Sequence, residues 1–394
     1  MSITPLSLTI LSLEQATILP FMTLRLALEG ARVIRVEAPP RGDPNRWVGP
    51  EVIAGDAGMN AYFLPNNLGK EAITLNLGSR AGQALLHRLI RELPVDVFAT
   101  NQRPRSYQKL GIDYETLARL KPDLIWLGIT GFGPENDEAA YDPVLQARAG
   151  FMELTGEKEG DPMVFGLPMV DLGAGEHAYG QVMKALYHRA LSGEGSRIDI
   201  SMFQSALSWM NSPILLSQSL GQPTTRHGNT HPFFAPASVY PTADGYLYLA
   251  VGNDRQWAAI ADLPDFAHLT QDGYSRNAGR IADVEALNRQ IAAITRGRNT
   301  AAWVETFKAL GVPAAGVNTL PDVCADPLLA GRMVRATDPR SGLEIAIPPP
   351  PVIPAQLQEQ GLRAAFPPRL GEHNAAIFGS LGLDAAQLAA EGVI

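Results

Sequence analysis

Short apolar runs of strand length recur through the first half of this chain, and a stretch with helical spacing separates several of them. That alternation limits the fold more than any other feature. Leu8–Leu13, Val33–Glu37, Ile73–Leu77, Val95–Ala99 and Leu124–Ile129 read as strands. Between them, Pro20–Glu29 reads as a helix stopped by Gly30. Arg80–Leu93 sets Leu85, Leu86, Leu89, Ile90 and Leu93 on one face, and Tyr114–Leu120 is a third helical stretch. Parallel strands need long crossovers, which helices supply, and crossovers of this kind are right-handed. A doubly wound α/β layer is therefore expected over roughly the first 200 residues.

The pattern breaks at Ser217–Pro236, where Pro223, Gly228, Pro232 and Pro236 fall with little periodicity. Beyond it, Val239–Pro241 and Tyr246–Val251 flank the turn-forming Thr242–Gly245 and predict a hairpin. Asp254–Ala261, Val284–Thr295 and Ala301–Leu310 have helical spacing, and Asp326-Pro327 reads as a helix N-cap with proline at the first position. Ile347–Pro354 is extended and rigid, and Asp384–Val393 is a short surface helix. A chain of 394 residues exceeds one ordinary core. The expected division is a large Rossmann-like domain over 1–216, a linker over 217–236 and a smaller α+β domain over 237–330. A return linker and C-terminal segment, 331–394, then packs on the large domain.

A net charge of −8 argues against a general nucleic-acid surface, so an anionic ligand must be held by a few local cations and backbone amides. Cys324 is the sole cysteine, which excludes an intrachain disulfide and a cysteine metal cluster. Met1–Pro5 lacks the charged start and apolar core of a signal peptide, and no apolar run reaches the ~18 residues that span a bilayer. A cytoplasmic protein with no membrane partner is expected. Several motifs fail on inspection. The first turn, Gln15–Pro20, has no glycine to admit a dinucleotide pyrophosphate. Leu68–Glu71 lacks the upstream glycine and the Ser/Thr of a phosphate loop. His227 and His231 stand beside Gly228 and Pro232, which disfavours a helical metal pair. The nucleophile elbow of serine hydrolases is missing.

The informative stretch is Val164–Gly180. Pro168 ends an extended piece, Val182–Leu191 has helical spacing up to Ser192-Gly193, and Asp171 thus falls where a helix begins. An aspartate there is commonly an N-cap. Gly173 and Gly175 would leave the first turn bare to a large ligand, and apolar surroundings would desolvate the carboxylate and strengthen it as a nucleophile.

Around Asp171 the chain resembles the class III coenzyme A transferases, the family of formyl-CoA transferase, carnitine CoA-transferase and α-methylacyl-CoA racemase. The likeness runs from Leu28–Glu37 with Gly42-Asp43-Pro44, through Asn67–Lys70, Asp96–Pro104, Leu110–Tyr114, Gly131–Gly133, Tyr141-Asp142-Pro143 and Pro168–Gly175, to Gly311–Pro313 and Leu370–His373. It implies a Rossmann-like large domain, a smaller α+β domain and an interlocked ring dimer. It implies ping-pong transfer of CoA between carboxylic acids, with Asp171 as the acylated carboxylate. Acyl-CoA is then a substrate, and no permanently bound cofactor or metal is implied. Thr17, Ile18, Leu75, Asn76, Leu77, Gly78, Asn101, Gln102, Arg103 and Lys109 match positions lining the CoA site, and Tyr141 and Asp142 match residues beside the thioester. The racemase branch carries histidine where Tyr141 stands, and a phenol holds its proton too tightly near pH 7 to relay it, which favours transfer.

Departures from the family pattern are concentrated at the CoA path: Thr17-Ile18-Leu19 before the proline, Ala38 and Glu71 in place of cations, and Thr100, Gln102 and Arg105. They leave room for a second reading, a non-catalytic partner subunit in a heteromer of related chains. Succinyl-CoA and dicarboxylate acceptors fit better than formate or oxalate, because the glycine-rich loop of formyl-CoA transferase has no counterpart here.

Overall fold

The structure, a computed structural model, describes residues 7–270 and 272–394. The N-terminal stretch Met1–Pro5 lies outside them. The chain divides into two compact units. The first takes the chain up to Ala149 with Phe165–Leu215 and Gly331–Ile394; the second is Gly150–Val164 with Leu216–Ala330. The sequence reading runs the large domain unbroken to 216 and leaves 217–236 as a linker. In the structure 150–164 fall with the second unit, and 217–236 belong to it.

The first unit is built on six strands: β1 Thr9–Leu13, β2 Arg32–Glu37, β3 Glu71–Thr74, β4 Val95–Thr100, β5 Ile125–Thr130 and β6 Ser196–Ser201. All are parallel, in the order β3-β2-β1-β4-β5-β6. The fold class is thus α/β with a central parallel sheet. Both faces must be covered, which is why β1, β4 and β5 are mostly apolar and, apart from the half-buried Asp96, buried. The sixth strand, Ser-Arg-Ile-Asp-Ile-Ser, alternates half-buried with exposed residues up to the buried Ser201 and presents no apolar run.

Helix α1 (Ile18–Leu28) returns from β1 to β2 and buries most of its surface. Arg80–Glu92 shows its leucines to the core, capped by Ser79, whose hydroxyl accepts the Gly82 N–H at 3.0 Å. The chain end closes the sheet edge: Thr74 N–H donates to Asn374 Oδ1 at 2.9 Å and Asn76 N–H to the Val393 carbonyl at 2.8 Å. Ile377, Phe378 and Val393 join the main core beside Ile73 and Leu75. A free edge of this sheet is thereby covered.

Beneath β1 and β2 lies a cluster of buried charges. Arg35 pairs with Asp43 at 2.8 Å and Glu37 at 3.2 Å, Arg46 pairs with Glu37 at 2.6 Å, and Lys70 with Glu14 at 2.8 Å. Every cation in it meets a carboxylate, which is what makes such burial tolerable.

In the second unit three antiparallel strands, β7 Ala237–Pro241, β8 Tyr246–Ala250 and β9 Ala314–Gly316, pack on helices around Trp257, Phe266, Trp303 and Phe307. The expected hairpin is present. Asp326 is not an N-cap: it closes the helix Leu320–Ala325, whose own cap is Thr319 with Asp322 in a reciprocal capping box. Pro327 follows that helix instead of opening one. No helix among the described residues is long and apolar enough to cross a membrane.

Candidate active site

β1 and β4 are neighbours, and the order of winding reverses between them, so the loops at their carboxyl ends part and leave a crevice. A cleft of about 160 Å³ lies there. Gln15 and Ala16 line it from the loop after β1, Ile18 from the start of α1, Asn101–Pro104 from the loop after β4, and Ile129–Gly131 from the end of β5. Tyr141, Asp142 and Asp171 complete its wall. Asn101 ties the first two loops together: its Oδ1 accepts the Gln15 N–H at 3.1 Å, and its Nδ2 donates to the Gln15 carbonyl at 2.8 Å.

Asp171 is the third residue of a 24-residue helix, Met169–Ser192, not its cap; Pro168 holds the cap position and offers no side-chain bond. The capping is done from elsewhere. Asp142 Oδ2 accepts the N–H of Val170 at 2.7 Å and of Asp171 at 3.0 Å. Its Oδ1 is held by Gln146, one turn along the helix Asp142–Arg148. Gln146 also accepts the Phe165 N–H at 3.0 Å and donates to the Leu167 carbonyl at 3.3 Å. Two side chains on one helix face therefore fix both the approach to the Asp171 helix and its first turn.

The consequence for Asp171 is electrostatic. A helix N-terminus ordinarily favours an anion through its free amides, but the nearest ones are already engaged by Asp142. No side chain or amide among the described residues donates to the Asp171 carboxylate. Burial first, and then the negative charge of Asp142, push its pKa up to about 7.

The glycines do not leave the first turn bare. A Cβ on Gly173 would lie 1.6 Å from the Trp209 ring, and one on Gly175 would meet Phe21 at 3.1 Å and the Ile18 carbonyl at 3.2 Å. Both admit close packing of protein, against an indole and against α1. Asp171 is approached through the crevice instead.

Of the residues singled out in the sequence, the cleft gathers Ile18, Asn101, Gln102, Arg103, Tyr141, Asp142 and Asp171. Thr17 stands at the start of α1 without a side-chain cap bond and outside the lining. Leu75, Asn76, Leu77 and Gly78 follow β3, and with Lys109 they also lie outside it. Gln83 brings that second group together, its Nε2 donating to the carbonyls of Leu77 and Lys109, both at 2.9 Å. Gln15, Ala16, Asn136 and Met202 line the cleft without having been singled out as site residues. The position of Gln15, directly after the first strand of a doubly wound sheet, was the signal available for it. Glu138 is paired with Arg148 at 2.9 Å, whereas Arg103 lines the cleft with no carboxylate partner among the described residues. Tyr141 is 75% exposed. Among the described residues no group of three or more metal-binding side chains assembles.

A doubly wound domain with a cleft at its switch point is a ligand-binding framework, and here the cleft holds a carboxylate without a donor among the described residues. The sequence profile described as CoA-transferase family III matches residues 7–374, nearly the whole chain. The chain belongs to CoA-transferase family III. It is 36% identical over 391 residues to a succinate–glutarate CoA-transferase of Agrobacterium fabrum, covering 96% of each chain. It is 32% identical over 373 residues to the succinyl-CoA:glutarate CoA-transferase of Mus musculus, covering 92% of this chain and 83% of that one. The crystal structure of a CaiB/BaiF family protein from Brucella suis superposes with a TM-score of 0.83 at 31% identity, over 97% of this chain and 100% of the other.

Proposed function

We propose that this enzyme moves coenzyme A from succinyl-CoA to a second dicarboxylic acid, with Asp171 as the temporary acyl carrier. The observation that carries the reading is a carboxylate in the cleft with no protein donor, made more basic by burial and by Asp142. Such a group is a better nucleophile than a solvated aspartate. Its oxygen attacks the thioester carbonyl, the C–S bond breaks, and a mixed anhydride and CoA thiolate result. The thiolate then attacks the aspartyl carbonyl, giving an aspartyl-CoA thioester and free donor acid. The acceptor carboxylate attacks that thioester and releases the thiolate, which takes the acceptor acyl group and leaves Asp171 free. One thioester replaces another, so no nucleoside triphosphate is consumed.

The acids named for the relatives support dicarboxylates as donor and acceptor. Arg103 is the cation in the cleft available for an anionic group of CoA or of the acid. Leu75–Gly78 and Lys109 are assigned to the outer CoA path. A cytoplasmic interlocked homodimer, or a heteromer with a related chain, belongs to the same proposal, and static light scattering on the purified chain tests it. The decisive experiment incubates the protein with succinyl-CoA and hydroxylamine and maps the product by mass spectrometry. A hydroxamate on the peptide carrying Asp171 is expected; exchange of label between succinate and succinyl-CoA with no adduct there would sink the assignment.

A further inference from the structure

Ala16 lines the cleft with its backbone in the left-handed region, φ +61°, a conformation it shares, among the described non-glycine residues, with Leu362 alone. For a residue with a Cβ this is unfavourable by roughly 1–2 kcal/mol, so the turn after β1 needs an external hold. Glu14, Gln15 and Ala16 each have one, and Thr17 opens α1. Glu14 accepts from Lys70 Nζ at 2.8 Å and from Thr23 Oγ1 at 2.6 Å. Gln15 is clamped at both backbone groups by Asn101. The Ala16 N–H donates to Asp43 Oδ1 at 3.0 Å, and the Thr17 carbonyl accepts the Phe21 N–H at 2.8 Å.

Asp43 is the member that grips the strained residue itself, and it is only 2% exposed. Its own orientation is over-determined. Oδ1 also accepts the Asn45 N–H at 2.9 Å, Oδ2 accepts from Arg35 Nη2 at 2.8 Å, and its backbone N–H donates to Glu37 Oε2 at 2.9 Å. Asp43 does not line the cleft, yet it holds a residue that does.

We infer that Asp43 is a positioning residue: by gripping the Ala16 amide it fixes the left-handed turn that presents Gln15 and Ala16 to an acyl-CoA in the cleft that also holds Asp171. The inference rests on the CoA-transfer reading, and it gives the buried charge cluster a task beyond stability. Asp43→Asn separates the two roles. An amide cannot accept from both sides, and the charged bond to Arg35 is the stronger one to keep. The Asn oxygen turns to Arg35, and its NH₂ then faces the Ala16 and Asn45 N–H groups, donor against donor. Ala16 loses its hold and relaxes out of the left-handed region. Glycine adopts that region freely, so Ala16→Gly in the same chain lets the turn re-form without the anchor.

The test compares succinyl-CoA exchange by the full-length wild type, Asp43→Asn and Asp43→Asn with Ala16→Gly. We expect kcat to fall about tenfold or more in the single variant, since small misplacements of reacting groups have effects of this size. We expect at least about threefold of that loss to return in the double variant. Arg46→Lys loosens the same cluster at Glu37 without touching the turn and serves as the structural control; whatever it loses, Ala16→Gly should not restore. Should Asp43→Asn fail to fold, Arg35→Lys, which slackens the grip on Asp43, replaces it in the same comparison. A wild-type rate in the single variant, no recovery in the double, or equal recovery in the Arg46 background overturns the inference. A wild type without exchange activity defeats the functional reading instead, and calorimetric binding of CoA alone then decides the positioning role by the same rank order. A wild type that neither exchanges nor binds CoA removes both.

Discussion

Glu37 and Asp171 are carboxylates of the same unit, the one lowered to about 2 and the other pushed up to about 7. Burial acts on both in the same upward direction. At Glu37 it is outweighed by Arg35 and Arg46, which approach to 3.2 and 2.6 Å. At Asp171 nothing opposes it, and the nearest charge, Asp142, adds to it. The difference lies in partners, not depth. Glu37 is surrounded by guanidinium groups, whereas Asp171, proposed as the acyl carrier, has no donor among the described residues and a second anion beside it. Asp142 does this without being a wasted charge, since its oxygens hold the first turn of the very helix that carries Asp171.

The contrast is broken most forcefully by Asp171→Asn. Exchange should fall on the order of 10³-fold or more, as expected when a covalent nucleophile is removed. Circular dichroism should be unchanged, and activity near wild type would place the chemistry on another residue. On the other side of the comparison, Arg35→Met strips the shared partner from Glu14, Glu37 and Asp43. Leaving buried charges unpaired in this way destabilises by about 3–5 kcal/mol. Urea unfolding reads it, and a loss below about 1 kcal/mol would mean that solvent, not pairing, keeps that cluster ionised.

A smaller and more specific change comes from Asp142→Asn. The amide oxygen still accepts the Val170 and Asp171 amides, so the helix start is kept while the charge, and with it the bond from Gln146, is removed. The ascending limb of kcat/KM, expected near pH 7 for the free enzyme, should move to lower pH. Burial is the larger cause, so the limb should stay above the ordinary carboxylate range. A limb that does not move would show that Asp142 acts through geometry alone.

How much of this contrast the sequence discloses depends on how local each cause is. The parallel sheet was legible because each of its first five strands falls on a short, largely apolar run and helices join most of them. β6 was not, since Ser196–Ser201 alternates and presents no such run. The start of the Asp171 helix was blurred by Gly173, Gly175 and Gly180, poor helix formers retained because Trp209 and α1 need the space at the first two. Asp171 itself could be singled out, but the partner that caps its helix stands 29 residues earlier. Likewise Asp43 reaches Ala16 across 27 residues. Contacts of that range leave no periodic trace, and only the resemblance brought Tyr141 and Asp142 into view beforehand.

The least of the expected effects is thermodynamic, and its sign is opposite to that of the first. An acid whose pKa is raised by folding binds its proton more tightly in the native than in the unfolded state. Between the ordinary aspartate value and about 7, stability therefore falls as pH rises, and above about 7 the full penalty of the bare carboxylate is present. Asp171→Asn removes that penalty. The variant should be more stable than the wild type at pH 8 by about 1–2 kcal/mol, a figure kept low because solvent reaches the half-buried side chain. The gain should shrink steadily as the pH is lowered toward 4. Glu37→Gln should do the reverse, losing stability at pH 8, because its lowered pKa makes the ionised form the favoured one. Thermal melts of the Asp171 variant between pH 4 and about 7, and of the Glu37 variant between about pH 2 and the ordinary carboxylate range, measure the two slopes, and slopes of the same sign would mean that the two carboxylates are not held in opposite ways.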